Sequence, residues 1–345
     1  MKQFKQAGDI KVGVIGYGGA FNMGKVHLDE MRRAGMTPTA VAEIDAARLK
    51  VAETDFPGIE TYGSVAAMLK QSAVNLLAII TPHTTHAKLA LQCLRAGRHV
   101  VCEKPFAVTT AECDAMIAAA RRRGVMLSTY HNRHWDGCAL EAVRQLVKEK
   151  AIGDVYRVEI NWGQYGQPGD WWRTSKSISG GILYDWGVHL LEYSLQVLAG
   201  AQMTEVSGFA HTGFWASRTK WQKDTNEDDA AAIVRFKGGQ VLMLRVSQLE
   251  ANMRPGWIHF TGTRGAYSMS HGDWALHTVQ NGVKTVRSGS SPKSEGWRFY
   301  QNVADHLTRG AKLTITAEWA RRPIHIIDWA GQSAQRGTAL KTKYA

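Results

Sequence analysis

The chain contains no run of about 18 or more apolar residues that could span a bilayer, and its opening segment, MKQFKQAGDI, lacks the apolar core of a secretory signal. No membrane partner is expected, and a cytoplasmic location is. Cysteine is scarce. Cys93, Cys102, Cys113 and Cys138 form no CxxC pair, which argues against a zinc site or a disulfide framework and leaves reduced, mostly buried thiols. Tryptophan is missing from the first 134 residues, although twelve occur from Trp135 onward. That shift marks a boundary between two parts of different composition. No internal repeat or low-complexity tract is present. The net charge of +12 invites a nucleic-acid reading, but the basic residues are dispersed. Their densest run, Arg121 to Arg123, closes a predicted helix, where cations oppose the negative end of the dipole. With no recognition motif beside the charge, no nucleic-acid partner is expected, and an anionic cofactor or substrate accounts for part of the excess.

What the chain does have is length and a glycine turn. Its 345 residues, 44% hydrophobic, can bury a substantial core and by length should form two domains. The turn lies in KVGVIGYGGAFNMGKVH, Lys11 to His27. Val12, Val14 and Ile15 read as a buried parallel strand, and Met23 to Arg33 carries helical spacing. Gly16, Gly18 and Gly19 therefore sit between a strand and a helix N-terminus, as a dinucleotide-binding corner requires. Gly16 can take the tight turn, Gly18 lets backbone approach a pyrophosphate, and the helix offers N–H groups and a positive dipole end. The third glycine of GxGxxG would fall at Phe21, and the next small residue is Gly24, so the loop is three residues longer than usual. Phe21, Asn22 and Met23 then join the expected diphosphate contacts. Glu43, 19 residues beyond Gly24, falls at the end of a second strand, where an acid accepts hydrogen bonds from the adenosine ribose. A carboxylate there would repel a 2′-phosphate, favouring NAD over NADP, although Asp45 could take the same role.

Strand and helix alternate through the first part. Strands are expected at Thr39 to Ile44, Asn75 to Ile80, His99 to Cys102 and Val125 to Tyr130, with helices between them. This is an α/β, doubly wound parallel sheet with right-handed crossovers. Thr81-Pro82 ends the strand from Asn75 to Ile80, and the hydroxyls that follow can cap the helix from His86. Beyond Trp135 the pattern becomes a helix, a strand, a loop with Trp171 and Trp172, and then alternating strands with a Lys237-Gly238-Gly239 hairpin turn, a largely antiparallel sheet. Two helices close the chain. The expected domains are residues 1–131, binding dinucleotide, and 132–345, an α+β domain.

Two places carry candidate chemistry. Glu103-Lys104-Pro105 ends a parallel strand, where ligands of open α/β sheets gather, and Lys104 could exchange a proton with a substrate hydroxyl. An ordinary surface lysine has the same local sequence. Asp185 and His189 lie four apart in GGILYDWGVH and would share one helix face, the histidine as proton shuttle and the aspartate holding a hydroxyl. A common helical ion pair reads the same way. No third ligand accompanies them, so no metal is expected. Trp162, Tyr165, Trp171 and Trp172 cluster beside Arg173. Their faces could pack on a sugar or cyclitol ring while Arg173 binds hydroxyls or a carboxylate, or they could simply fill an interface.

Together KVGVIGYGG, TPHTTH, EKP and GGILYDWGVHLLEY resemble the glucose-fructose oxidoreductase and inositol dehydrogenase family, Gfo/Idh/MocA, over nearly the whole chain. The resemblance implies an N-terminal Rossmann domain and a C-terminal domain on an open-faced antiparallel sheet that is often used to form homo-oligomers, a dimer or tetramer. It implies that Lys104 is the lysine of the EKP motif and that Asp185 and His189 match DxGxH, the three forming the catalytic set. His86, with Thr81, Pro82 and Glu103, falls near the cofactor, and Asn132 and Arg133 fall among substrate or cofactor contacts. The expected activity is NAD-dependent hydride transfer at a hydroxyl-bearing carbon of a sugar, cyclitol or related polyol. A glycoside hydrolase or epimerase that uses bound NAD only transiently, or a non-enzymatic nucleotide sensor, are the alternatives.

Overall fold

The computed structural model describes residues 3–344, which divide into two compact units. The first comprises the described residues up to His131 together with Trp297–Arg321. Its strands and helices follow the expected alternation: β1 Lys11–Ile15, α1 Met23–Arg33, β2 Thr37–Ala42, α2 Ala46–Asp55, β3 Glu60–Tyr62, α3 Val65–Gln71, β4 Leu76–Ile79, α4 His86–Arg95, β5 His99–Cys102, α5 Thr110–Arg123 and β6 Leu127–Thr129. The strands form one parallel sheet of order β3-β2-β1-β4-β5-β6. The order reverses between β1 and β4, the switch point outside which ligands of such sheets bind. Every residue of β4 and β5 is buried, which is why β4 reads as a continuous apolar run. The short edge strand β3, with no apolar run of its own, is an addition to the sequence reading. The Thr85 hydroxyl does not cap α4 as expected. Thr85 donates to the Pro82 carbonyl instead, closing a 3-10 turn before the helix.

The second unit comprises Asn132–Gly296 and the described residues from Arg322. It begins with α6 Gly137–Ala142, which continues as a π-helical turn, then β7 Val155–Gly163, the one-turn α7 Lys176–Ser179 and α8 Trp186–Val197. The strands β8 Met203–His211, β9 Asp229–Phe236, β10 Val241–Ser247, β11 Ile258–Gly262, β12 Gly265–Met269, β13 Asp273–Gln280, β14 Val283–Ser290 and β15 Leu340–Tyr344 complete a nine-stranded sheet with β7. Its order is β14-β13-β12-β11-β7-β10-β9-β8-β15, antiparallel except between β7 and β10. Burial alternates along β9 and β10, one face inward, as period-two sequences demand. The Lys237-Gly238-Gly239 turn joins them, Gly239 taking φ +86°. After β14, α9 Arg298–Arg309 belongs to the first unit, where the Tyr300 hydroxyl reaches His27 on α1. The long helix α10 Ala317–Arg336 starts in the first unit and continues into the second.

Candidate functional site

The glycine corner of the first unit has the geometry its sequence implies. Gly16 adopts φ +98°, and a Cβ there would stand 2.7 Å from the Ile80 carbonyl oxygen. The three-residue insertion moves the start of α1 to Met23, preceded by Asn22 in the left-handed region. Gly24 consequently takes the part of the third glycine. It is buried, and a Cβ would lie 2.5 Å from the Tyr17 ring and 3.0 Å from the Gly16 carbonyl, so only glycine lets helix and turn pack this closely. Gly18, by contrast, has nothing within 4 Å of where a Cβ would stand, which leaves its face open for a phosphate. Phe21 is exposed at the loop tip.

Glu43 lies just past β2 and accepts three backbone N–H bonds, from Tyr17 at 2.6 Å, Ile44 at 2.7 Å and Asp45 at 3.1 Å. Its carboxylate thus ties the glycine turn to the end of β2 and keeps lone pairs for further donors. Asp45 is occupied as the N-cap of α2, accepting from Ala47 N–H. One residue that the sequence reading passed over stands here. Arg48 donates through Nε to the Tyr17 carbonyl at 2.8 Å, and its Nη1 comes within 3.2 Å of where a Gly19 Cβ would be. It brings a cation to the loop that a dinucleotide's phosphates would meet. The open face of Gly18, helix N–H groups, a strand-end carboxylate and this guanidinium together fit a nicotinamide dinucleotide.

The turns after β4 and β5 are joined by His86, which is fully buried. Nδ1 lies 2.8 Å from the Pro105 carbonyl oxygen and Nε2 2.8 Å from that of Thr81. Burial pushes its pKa down, against the help of both carbonyls. Thr81 and Thr85 share a hydroxyl bond at 2.6 Å beside it. Glu103 is held from two sides: Lys104 N–H donates to Oε2 at 2.9 Å, and His27 Nε2 lies 3.0 Å from Oε1. A carboxylate accepts only, so His27 donates to it from Nε2, and its Nδ1 lies 2.5 Å from the Tyr300 hydroxyl. Burial alone would raise the Glu103 pKa, but the bond and the electrostatic attraction of His27, and then the charge of Lys104, outweigh it and hold it below the usual carboxylate range. The backbone of Lys104 is thereby fixed by a buried chain of side chains. His27 and Tyr300 were not singled out in the sequence, because nothing local links them to Glu103.

In the second unit a cavity of about 390 Å³ opens among Trp162, Trp171, Arg173, Asp185, Trp186 and Glu227. Trp162 and Trp186 stack at 4.3 Å. Arg173 lies 4.8 Å from the ring centres of both Trp171 and Trp172, with Nε 3.7 Å from Asp185 Oδ1. Asp185 occupies the N-cap position of α8, and His189, nearly buried on the first turn of that helix, meets the Trp186 ring edge-on at 5.7 Å. Of the residues expected to meet substrate in this unit, Arg173 and Asp185 border the cavity, whereas Asn132, Arg133, Trp172 and His189 are not among its lining residues. Arg133 instead pairs with Asp136 at 3.1 Å and lies over the Trp186 ring at 5.2 Å. Asn226 and Glu227 border the cavity too, from a segment that sequence spacing gave no reason to connect with Asp185. Asn226 binds the Arg173 carbonyl at 2.6 Å. Among the described residues, no group of three or more His, Cys, Asp or Glu is arranged to hold a metal ion, and no helix is long and apolar enough to cross a membrane.

Comparison with known proteins places these features among oxidoreductases. Residues 10–131 match the model of the GFO_IDH_MocA oxidoreductase family, NAD-binding Rossmann fold, and residues 140–268 match the GFO/IDH/MocA C-terminal domain. The chain is 32% identical to the uncharacterized oxidoreductase YdgJ of Escherichia coli (strain K12), covering 96% of this chain and 98% of that protein. It is 24% identical to scyllo-inositol 2-dehydrogenase (NADP(+)) IolW of Bacillus subtilis (strain 168), over 100% of this chain and 99% of that one. The fold is shared with an oxidoreductase domain protein from Kribbella flavida, at a TM-score of 0.81 and 21% identity, over 98% of this chain and 99% of the other.

Proposed function

The chain belongs to the GFO/IDH/MocA family of NAD(P)-dependent oxidoreductases, and from that premise we propose that it acts on a hydroxyl-bearing carbon of a sugar, cyclitol or related polyol. The observation that carries this reading is the corner from Gly16 to Gly24, whose crowded and open glycines alternate as a dinucleotide diphosphate needs. A bound nicotinamide supplies the hydride acceptor. The chain's own residues supply alignment and the proton path, which account for most of the rate in such reactions. Lys104, Asp185 and His189 form the proposed catalytic set: the proton of the substrate hydroxyl goes to Lys104 or His189, and Asp185 orients that hydroxyl. Asn132, Arg133, Trp172 and Arg173 are the proposed further substrate contacts. The name of the IolW relative, a cyclitol dehydrogenase, supports the substrate class.

NAD is the proposed cofactor in preference to NADP. The support is Glu43, an ionisable carboxylate held by three N–H groups where a 2′-phosphate would lie. Residues 1–131 are assigned to the dinucleotide, and 132–345, apart from the Trp297–Arg321 segment that returns to the first unit, to substrate and self-association. The exposed apolar side chains of Phe209, Val279, Val283 and Val286 on the large sheet support a homo-oligomer through that sheet, a dimer or tetramer. The four cysteines, all buried, accord with a reducing, cytoplasmic setting. The test is a screen of sugars and cyclitols with NAD and NADP, followed at the reduced-nicotinamide absorbance. Turnover with a polyol is expected. Conversion of a glycoside or an epimer without accumulation of reduced cofactor would move the assignment to the transient-oxidation chemistry.

A further inference from the structure

The cavity of the second unit carries charges whose balance bears on what can enter it. Two carboxylates, Asp185 and Glu227, and one guanidinium, Arg173, border it between the faces of Trp162, Trp171 and Trp186. Each charge is already answered by the protein. Arg173 approaches Asp185 at 3.7 Å and is clamped against two indole rings at 4.8 Å each. Glu227 receives Lys176 Nζ at 2.7 Å on Oε1 and Ile182 N–H at 2.9 Å on Oε2. Two anions thus stand against two cations, and the cavity carries no surplus positive charge.

We propose that this cavity takes an uncharged polyhydroxylated ring and rejects the corresponding sugar acid, with Glu227 as the specificity-determining residue. The proposal rests on the reading of the chain as a polyol oxidoreductase and names the substrate class of that same site. A carboxylate is an acceptor only, and each oxygen of Glu227 has one protein donor, so both keep a lone pair for a ring hydroxyl. Hydroxyl-to-carboxylate bonds are charge-assisted and strong. Gly181 makes room for them: it takes φ +133°, and a Cβ there would stand 2.8 Å from Glu227 Oε2. The indole faces suit the C–H faces of a ring. A ligand carboxylate would offer Glu227 no donor and would bring a third anion to two. Its one bordering cation, Arg173, is already shared with Asp185 and held by the two rings. The sequence left hydroxyls and a carboxylate equally open as partners of Arg173, and the geometry favours hydroxyls.

The experiment compares matched pairs that differ only in the charged group, D-glucose with D-glucuronate and D-galactose with D-galacturonate, with scyllo-inositol as a neutral cyclitol. NAD-linked turnover is measured, and binding is followed by calorimetry in the presence of NADH. The expected result is a kcat/KM for the neutral member about a hundredfold above the acid. Glu227→Gln should narrow that gap by about tenfold or more, through KM rather than kcat, because the amide no longer repels an anion and accepts hydroxyls less strongly. Lys176→Met, which removes the cation answering Glu227, should widen the gap, and this opposite shift keeps the test valid should one variant fold poorly. Acids used as well as neutral sugars, or a gap that neither variant moves, would overturn the proposal. Acids used alone would overturn it while the oxidoreductase reading stands; no turnover and no binding across the panel would overturn both.

Discussion

In the first unit the groups proposed to hold a cofactor are mostly backbone at the ends of parallel strands, whereas in the second the groups that border the cavity are side chains collected from segments as distant as Trp162 and Glu227. The first arrangement depends on where a side chain is missing. Gly24 is required because a ring stands 2.5 Å from its absent Cβ, whereas Gly18 has nothing within 4 Å of its own, which leaves room for the proposed phosphate. The second depends on what each side chain is already bonded to, as Arg173 and Glu227 show. A backbone site tolerates changes of identity around it and fails when volume is added. A side-chain site fails when one charge is altered.

The sharpest way to break this comparison is to remove a proposed catalytic group and leave the glycine corner intact. His189→Asn and Lys104→Met should each lower kcat by about 10²- to 10⁴-fold. NADH affinity, measured by fluorescence titration, should change little in His189→Asn; comparable loss of both quantities would show that the substitution acts through the cofactor site. A second effect concerns the stability of the first unit. His99 is buried, its Nδ1 accepts the Met126 N–H at 2.9 Å, and burial lowers its pKa to about 4 from 6.5. The neutral ring is the folded form. In the unfolded chain it takes up a proton once the pH falls below about 6.5. Its contribution is therefore complete above that pH and is lost as the pH falls towards 4, on the order of 3 kcal/mol. Urea unfolding at pH 7 and at pH 4.5 measures the loss, and His99→Asn, whose amide oxygen can accept the same N–H, should flatten that part of the profile.

Smaller effects separate the two kinds of glycine. Gly24→Ala should destabilise the protein by about 1–3 kcal/mol, since Tyr17 or the turn must move. Gly18→Ala should leave thermal stability nearly unchanged and weaken NADH binding, because its Cβ enters only the space left for a phosphate. Equal effects of the two on stability would contradict the division of roles. The least of the expected effects is in the second unit: Trp171→Ala should raise KM for a polyol several-fold, about 1 kcal/mol, with kcat nearly unchanged.

How far each region could be read from the sequence follows the same division. Backbone requirements leave local marks, and the strand, glycines and helix from Lys11 to Arg33 announced the corner, including the displacement of the third glycine to Gly24. The cap of α2, Asp45, was equally legible, because capping is a contact between near neighbours. The edge strands β3 and β15 were not, since short edge strands carry no apolar run. The return of Trp297–Arg321 to the first unit left no local mark either, nor did the chain from Tyr300 through His27 to Glu103, which joins residues far apart in sequence. In the second unit the motif around Asp185 and the tryptophan-rich loop were visible one by one. Their grouping with Glu227 was not, because β9 and β10 bring that residue to the cavity only through sheet register.

The most direct test of hydride transfer from a polyol uses a ring polyol deuterated at its hydroxyl-bearing carbons, incubated with the protein and NAD, with the mass of the reduced cofactor measured. Reduced cofactor carrying one deuterium is the expected product, formed by the native chain and nearly abolished in Lys104→Met. Reduced cofactor without deuterium, or a product formed at the native rate by the variant, would contradict it.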